Sequence, residues 1–328
     1  MRRFSSTRSA ATSGVIIRLA LSVSLGVTLF LLGCAGHGTR VGKEGAAGNH
    51  RNFTDGIGRA VSIKPDPQRI VSLAPNLTEI LFALGLGDRI AGVTSYCDFP
   101  EAAKAKEKIG DTIHPNLEKI ISLKPDLVIV STSSQLENLT RQLDQLAIPV
   151  YVTNPRTVSE TVASIRSLGE ITGAAASAAK LAAEMEARIA AVRQRVKDRP
   201  APRVFYVLQT SPLITAGRNT FINDLINLAG GKSISGEETA DYPQFSRETV
   251  VARAPEVIIA PASHGSEWVK ESDLRRDFAV TPAIRSNRIV KVNPDLVDRP
   301  GPRIVEGLER LAEGIHPSRS LSVPPAGI

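Results

Sequence analysis

Two stretches of this chain carry the same pattern in the same register. Residues 116–130 read NLEKIISLKPDLVIV and residues 246–260 read SRETVVARAPEVIIA. Aligned without gaps, Glu118 meets Glu248, Pro125 meets Pro255, and Asp126 meets Glu256. The four apolar residues that follow coincide. Upstream, Asp98-Phe99-Pro100 has a counterpart in Asp241-Tyr242-Pro243. General helix–proline–strand grammar would repeat the apolar run. It would not place a glutamate, a proline and an acid at matching positions, so a duplicated unit is expected. The fold must therefore accommodate two similar halves.

Each half alternates strands with helices. In the first, residues 53–66 predict a hairpin turning at Gly56–Gly58, followed by a strand at Arg69–Leu73. Leu77, Ile80, Leu81 and Leu84 form a helical stripe that Gly85 and Gly87 terminate. Further strands are predicted at Ile90–Thr94, Asp126–Val130 and Pro149–Thr153, with helices at 116–123, 134–147 and 157–171. The second half predicts strands at 203–208, 256–260 and 288–292 and helices near 220–229, 246–253 and 302–314. Such alternation predicts mainly parallel sheets with helices on their faces, an α/β class of two Rossmann-like lobes.

Between the halves lies an alanine-rich run, residues 174–198, without glycine or proline. Alanine and long charged residues are the strongest helix formers. Leu181, Met185, Ile189, Val192 and Val196 give one narrow apolar stripe. Pro200 and Pro202 end the helix. The expected organisation is an N-terminal lobe at 53–173, a single linking helix at 174–200 and a C-terminal lobe at 201–317, with a tail at 318–328.

The N-terminus reads as an export address. Arg2, Arg3, Arg8 and Arg18 precede the apolar run LALSVSLGVTLFLL at 19–32, and residues 1–33 contain no acid. A basic region before a short apolar segment is a secretory signal, and the apolar run is short for a span of about 20 residues. Leu31-Leu32-Gly33-Cys34 resembles a bacterial lipobox, which implies that Cys34 takes the lipid and becomes the first mature residue. Residues 34–52 are rich in glycine and polar residues and read as a flexible tether.

The whole chain of 328 residues has a formal charge of +7, which would suit an acidic partner. Removing residues 1–33 leaves 36 basic against 33 acidic residues, a net +3, and the case for nucleic acid goes with the signal. Cys97 is then the only thiol besides Cys34, so no internal disulfide is expected, and it reads as a small half-buried apolar residue.

Catalytic motifs are missing. The sequence contains no G-x-S-x-G and no H-E-x-x-H. Gly230-Gly231-Lys232-Ser233 looks like the end of a phosphate-binding loop, but Ile226 stands where the first glycine belongs. Neither a catalytic centre nor a resident cofactor or metal is expected.

The stretches RIVSLAPNLTEILFALGLGDRIAGVTSYCDFP at 69–100, HPNLEKIISLKPDLVIV at 114–130, DYPQFSRETVVARAPEVIIA at 241–260 and RPGPRIVEGLERLAEGIHP at 299–317 carry a resemblance. Together with the single linking helix, they are similar to the class III substrate-binding proteins of ABC importers, the vitamin B12 and iron-siderophore group. The match spans about 53 to 316, and within the group the cobalamin-binding members look most similar. The resemblance implies a non-enzymatic, lipid-anchored, extracytoplasmic monomer. It would capture a corrinoid in an interlobe cleft and deliver it to an ABC permease and its ATPase. A ferric-siderophore or haem ligand is the alternative within the family. A corrinoid- or metal-handling enzyme or sensor domain is the alternative outside it.

Site residues follow from the resemblance. Glu118 and Glu248 match the surface glutamates that dock on permease arginines, one per lobe; acids there also complement a helix dipole. Tyr96 and Tyr242 match cleft-lining positions. Thr112, Ser131 and Leu296 stand where cobalamin binders place tryptophans. Arg299 and Arg218 are candidate partners of ligand carboxylate or phosphate, and Tyr96, His114 and His264 are candidate haem ligands. Trp268 is a further aromatic candidate, whereas Phe99 and Phe245 read as core. A continuous linking helix resists bending, so closure of only a few degrees is expected.

Overall fold

The computed structural model describes residues 50–132, 137–262 and 269–317. The signal segment, Cys34, most of the tether, His264, Trp268 and the tail from 318 lie outside the described residues. None of the described helices is long and apolar enough to cross a membrane.

The described chain begins with an antiparallel hairpin, β1 (Arg51–Thr54) and β2 (Ala60–Ile63). Strand pairing thus starts two residues before the hairpin predicted from Phe53. Asp55 fixes the turn: its buried carboxylate accepts from the Ile57 N–H at 3.1 Å, the Arg59 N–H at 2.8 Å and the Arg59 Nε at 2.9 Å. A Cβ on Gly56 would lie 2.6 Å from the Asn154 backbone nitrogen, so only glycine permits this approach to the sheet.

The first sheet contains β3 (Ile70–Ser72), β4 (Ile90–Val93), β5 (Leu127–Ser131) and β6 (Val150–Thr153), ordered β4-β3-β5-β6 and parallel throughout. Its helices are α1 (Pro75–Ala83), α2 (Leu117–Ser122), α3 (Glu137–Gln145) and α4 (Val158–Ile171). Next comes α5 (Ala175–Val196), 22 residues and about 33 Å long.

The second lobe opens with β7 (Arg203–Tyr206) and a short antiparallel pair, β8 (Gln209–Thr210) and β9 (Leu213–Ile214). It continues through α6 (Phe221–Leu228), β10 (Lys232–Ser233), α7 (Arg247–Arg253) and β11 (Val257–Pro261). It ends with α8 (Glu271–Asp277), α9 (Pro282–Arg285), β12 (Ile289–Val292), α10 (Pro294–Val297) and α11 (Ile304–Ile315). Its parallel sheet is ordered β10-β7-β11-β12. In both lobes the strand order is therefore second, first, third, fourth.

The sequence repeat has a structural counterpart at atomic detail. Asn116 caps α2 by accepting from the Lys119 N–H, and Ser246 caps α7 by accepting from the Thr249 N–H. Lys124 and Ala254 both adopt φ 47°, the left-handed turn that ends each helix. Asp126 then accepts from the Arg69 N–H at 2.9 Å, and Glu256 accepts from the Arg203 N–H at 2.9 Å. The matching acids hold the start of the first strand in each lobe, which explains why they recur.

Three apolar cores follow from the alternation of side chains along buried parallel strands. Val71, Val128, Val130 and Val152 face one side of the first sheet with Ile120 and Leu143. Phe205, Val207, Ile258 and Ala260 face the matching side of the second with Val250 and Phe278. The opposite faces of both sheets join one continuous core through α4, α5 and α11. It runs from Ile70 and Leu127 through Ile165, Ala182 and Met185 to Val204, Val257 and Leu308. On α5 the buried positions are Ala178, Ala182, Met185, Val192 and Val196, whereas Leu181 and Ile189 are only half-buried. Small residues draw α5 tightly onto α4: a Cβ on Gly169 would fall 2.3 Å from the Ala178 Cβ. Paired arginine–glutamate bonds fasten α5 at its sides, Arg166 to Glu186 at 2.8 and 3.0 Å and Arg188 to Glu309 at 2.9 and 2.7 Å.

Candidate ligand-binding cleft

The N-terminal side of the cleft is the loop after β4. Its anchor is Cys97, 1% exposed, whose sulfur lies 3.1 Å from the Thr78 hydroxyl and 3.2 Å from the Thr94 hydroxyl. Thr78 also donates to the Ser72 hydroxyl at 2.8 Å. Cys97 is thus fully buried, not half-buried, at a place where the continuous core meets two hydroxyls. Burying it turns its neighbours outward: Tyr96 is 57% exposed and Phe99 44%. Phe99 lies 4.0 Å beneath the Arg303 guanidinium and is not a core residue.

The C-terminal side is the segment Asp241-Tyr242-Pro243, which leads into α7. The loop at 215–218 packs against it, with the Gly217 N–H donating to the Asp241 carbonyl at 2.8 Å. A Cβ on Gly217 would approach the Ala240 oxygen to 1.9 Å, so the contact requires glycine. Tyr242 is 54% exposed. Burial of its hydroxyl end raises its pKa, the Asp241 and Asp298 charges add to that, and Arg156 offsets part of it.

Side chains cross between the lobes at two places. Glu79 of α1, 3% exposed, accepts from Arg303 at 2.8 and 2.6 Å and from Arg299 at 3.3 Å. Arg299 also binds Asp98 at 3.0 Å and Asp295 at 2.7 Å. Asn76 donates to the Pro300 carbonyl at 3.2 Å beside them. At the second crossing, Arg156, after β6, donates to Asp241 and to the Asn219 carbonyl. Asp224 of α6 accepts the Val158 N–H at 2.8 Å at the start of α4. Asp298 adjoins Arg299 in the chain, and its charge reaches Tyr242. It accepts from the Tyr206 hydroxyl at 2.5 Å, and burial pushes its pKa up to about 6.

Tyr96, Tyr242 and Arg299 therefore gather around one seam. Of the other expected ligand contacts, two are buried and one lies in a turn. Leu296, 5% exposed, belongs to the continuous core. Ser131, 4% exposed, ends β5 and lines a cavity of about 600 Å³ with Ile57, Arg59, Thr132 and Thr140, on the flank near the hairpin. Thr112 sits half-buried in the turn 110–115, where Asp111 accepts the Ile113 and His114 N–H groups and is thereby held below the usual carboxylate range. His114 is exposed with its ring 3.4 Å from Asp111. Phe245 is core, stacked on Phe205 at 6.4 Å. Arg218 is exposed beside Asn219. Among the described residues, no group of three or more His, Cys, Asp or Glu is placed to hold a metal ion.

Glu118 and Glu248 are both exposed on the first turns of α2 and α7. Backbone and Ser246 hydrogen bonds hold the Glu248 carboxyl below its ordinary value. Sequence reasoning did not single out Glu79, Arg156, Asp298 or Arg303. Asp98 and Asp241 were visible only through the repeated Asp-aromatic-Pro triplet.

Comparison with known proteins agrees with this architecture. The sequence pattern of the family described as "Periplasmic binding protein" matches residues 70–296. The chain is 35% identical over 270 residues to the ABC transporter substrate-binding lipoprotein YvrC of Bacillus subtilis, covering 80% of this chain and 84% of that one. It is similar to the crystal structure of the periplasmic vitamin B12 binding protein BtuF of Vibrio cholerae, with TM-score 0.69 and 29% identity over 76% of this chain and 97% of that one. The periplasmic heme-binding protein RhuT of Roseiflexus gives TM-score 0.69 and 31% identity over the same shares, 76% and 97%. With its two parallel-sheet lobes on one long helix, the chain belongs to the periplasmic binding protein family.

Proposed function

We propose that this protein captures a corrinoid, cobalamin or a close relative, between its lobes and delivers it to an ABC importer. The observation that carries the reading is the pair Tyr96 and Tyr242, one per lobe, both about half exposed at the rim of a single seam. Each presents a flat apolar face to a large ring ligand. The likeness to a vitamin B12 binding protein over nearly that protein's whole length supports it. Ligand sites favour such junctions between domains.

In this reading Cys34 carries a lipid that holds a monomer at the outer face of a membrane. Glu118 and Glu248 meet cationic pockets of the permease, and the ATPase acts through the permease. Two helices starting with equivalent exposed carboxylates suit a partner with two equivalent basic sockets. The protein's role is binding and delivery, with no reaction on the ligand.

A second reading, haem or ferric-siderophore capture, is favoured by the 31% identity to RhuT and by Thr112, Ser131 and Leu296 in place of tryptophans. Titration calorimetry with cyanocobalamin separates the two. Saturable heat at micromolar concentrations supports the corrinoid. Silence with cobalamin, together with a shifted visible spectrum on adding haem or a ferric siderophore, replaces it with the second reading.

A further inference from the structure

The seam is rich in carboxylates. At the first crossing Glu79, Asp98 and Asp295 surround Arg299, Glu79 also takes both bonds of Arg303, and Asp298 lies one residue away. At the second, Asp241 closes on Arg156, and Glu160 accepts the Arg156 N–H. All three arginines that cross between the lobes, Arg299, Arg303 and Arg156, are thus already paired. A guanidinium bonded to a carboxylate takes up a ligand carboxylate only by giving up the first. Arg218, exposed on the loop packed against Ala240, is the cation beside this seam without a carboxylate partner among the described residues.

We propose that Asp98 and Asp241 form a charge screen. By closing on Arg299 and Arg156 they set the cleft's specificity for a ligand with at most one anionic group, over a dianionic one such as a porphyrin dicarboxylate. The proposal rests on the cleft being the ligand site. It makes the two aspartates determinants of selectivity and not of ring binding. Both are partly exposed, with side-chain accessibilities of 52% and 37%, so their amides fit without burying a new group.

The test compares protoporphyrin IX with its dimethyl ester, probes that differ only in the two propionate charges. Binding of each is measured by fluorescence to the full chain and to the Asp98→Asn/Asp241→Asn double variant, with thermal midpoints as the folding check. The wild type is expected to bind the ester at least as tightly as the diacid. The double variant frees the Arg156 guanidinium and removes one of the three negative charges on Arg299, which keeps Glu79 and Asp295. It is expected to gain ~10-fold or more for the diacid, with the ester held within ~3-fold, the scale of one charge-assisted hydrogen bond. Loosened lobes would move both probes together and leave their ratio unchanged. An unchanged ratio overturns the screen, as does a variant that binds the diacid no better than a wild type that binds neither. A cobalamin titration run alongside tests the corrinoid reading separately. No cobalamin binding with a shifted ratio removes the corrinoid and keeps the screen, and the opposite pair of results does the reverse.

Discussion

Asp98 and Asp241 stand at matching positions of the two lobes, and each is held by an arginine from the other lobe. Asp98 binds Arg299 at 3.0 Å, and Asp241 binds Arg156. Both arginines come from the segment that follows the fourth strand of their lobe, after β12 and after β6. The duplication seen along the chain is thus also a reciprocal exchange across the cleft. The lobes are joined by more than α5, because these crossings and the continuous core tie them together.

The first crossing should be costly to break from the acid side. Glu79 is 3% exposed and receives three arginine hydrogen bonds. Glu79→Ala strands the Arg303 guanidinium, whose side chain is 19% exposed, whereas Arg299 keeps Asp98 and Asp295. The expected loss is about 3 kcal/mol, because the Arg303 charge is left uncompensated. Urea unfolding checks it: the midpoint should fall with the slope unchanged. A change within about 0.5 kcal/mol, the range of ordinary surface substitutions, would show the seam to be mechanically idle.

Packing, more than ion pairing, should hold the linking helix. Met185 is 2% exposed at the centre of the continuous core. Met185→Ala is expected to cost about 2–4 kcal/mol through lost burial and a cavity. Removing Arg166 or Arg188, both more than 40% exposed, is expected to cost about 0.5 kcal/mol each, since exposed pairs contribute little. Thermal unfolding of the three variants ranks the effects, and the reverse order would refute this account.

Asp298 predicts a stability dependence on pH. Burial pushes its pKa up to about 6 in the fold, against about 3.9 in an unfolded chain. Between those values the folded state holds the additional proton. Stability from this group is therefore present in full below about pH 4 and falls as pH rises toward 6, by roughly 2 kcal/mol. Carboxylates held low elsewhere, such as Glu186 and Glu309, act in the opposite sense. The measurement is accordingly the difference between wild type and Asp298→Asn in unfolding free energy at pH 4.5 and 7.5. A difference that does not vary with pH would assign the titration elsewhere.

Charge reversal at Glu118 and Glu248 should separate delivery from capture. Both side chains are exposed on the first turns of their helices, outside the loops that carry the tyrosines. The Glu118→Lys/Glu248→Lys variant is expected to keep its ligand affinity within about twofold and lose stimulation of the importer's ATPase, as opposed charge governs docking. Full stimulation by the variant would remove the docking assignment.

Free and ligand-bound forms should differ by a few degrees of lobe rotation only. The reasons are the rod of α5, the core that runs through it and the two crossings. Crystal structures of both forms, or solution scattering with and without cobalamin, measure it. A large rigid-body rotation on binding would contradict the continuous core.

The sequence by itself determined the elements and their pairing into halves. Apolar runs bounded by prolines and glycines are local signals, and the repeated acids and caps were in register because each performs the same local task. The acids at 126 and 256 anchor a strand start, and the caps at 116 and 246 begin a helix. Short elements escaped. β10 has two residues and α9 and α10 four each, too few to show a period. The seam also escaped, for a different reason. Glu79 lies 220 residues from Arg299 and 224 from Arg303, and within α1 it breaks the apolar pattern without showing what compensates it. Only the tertiary structure brought those charges together and buried Ser131 and Leu296. A charge in a sequence is legible as a charge, but its partner is set by the packing of distant elements.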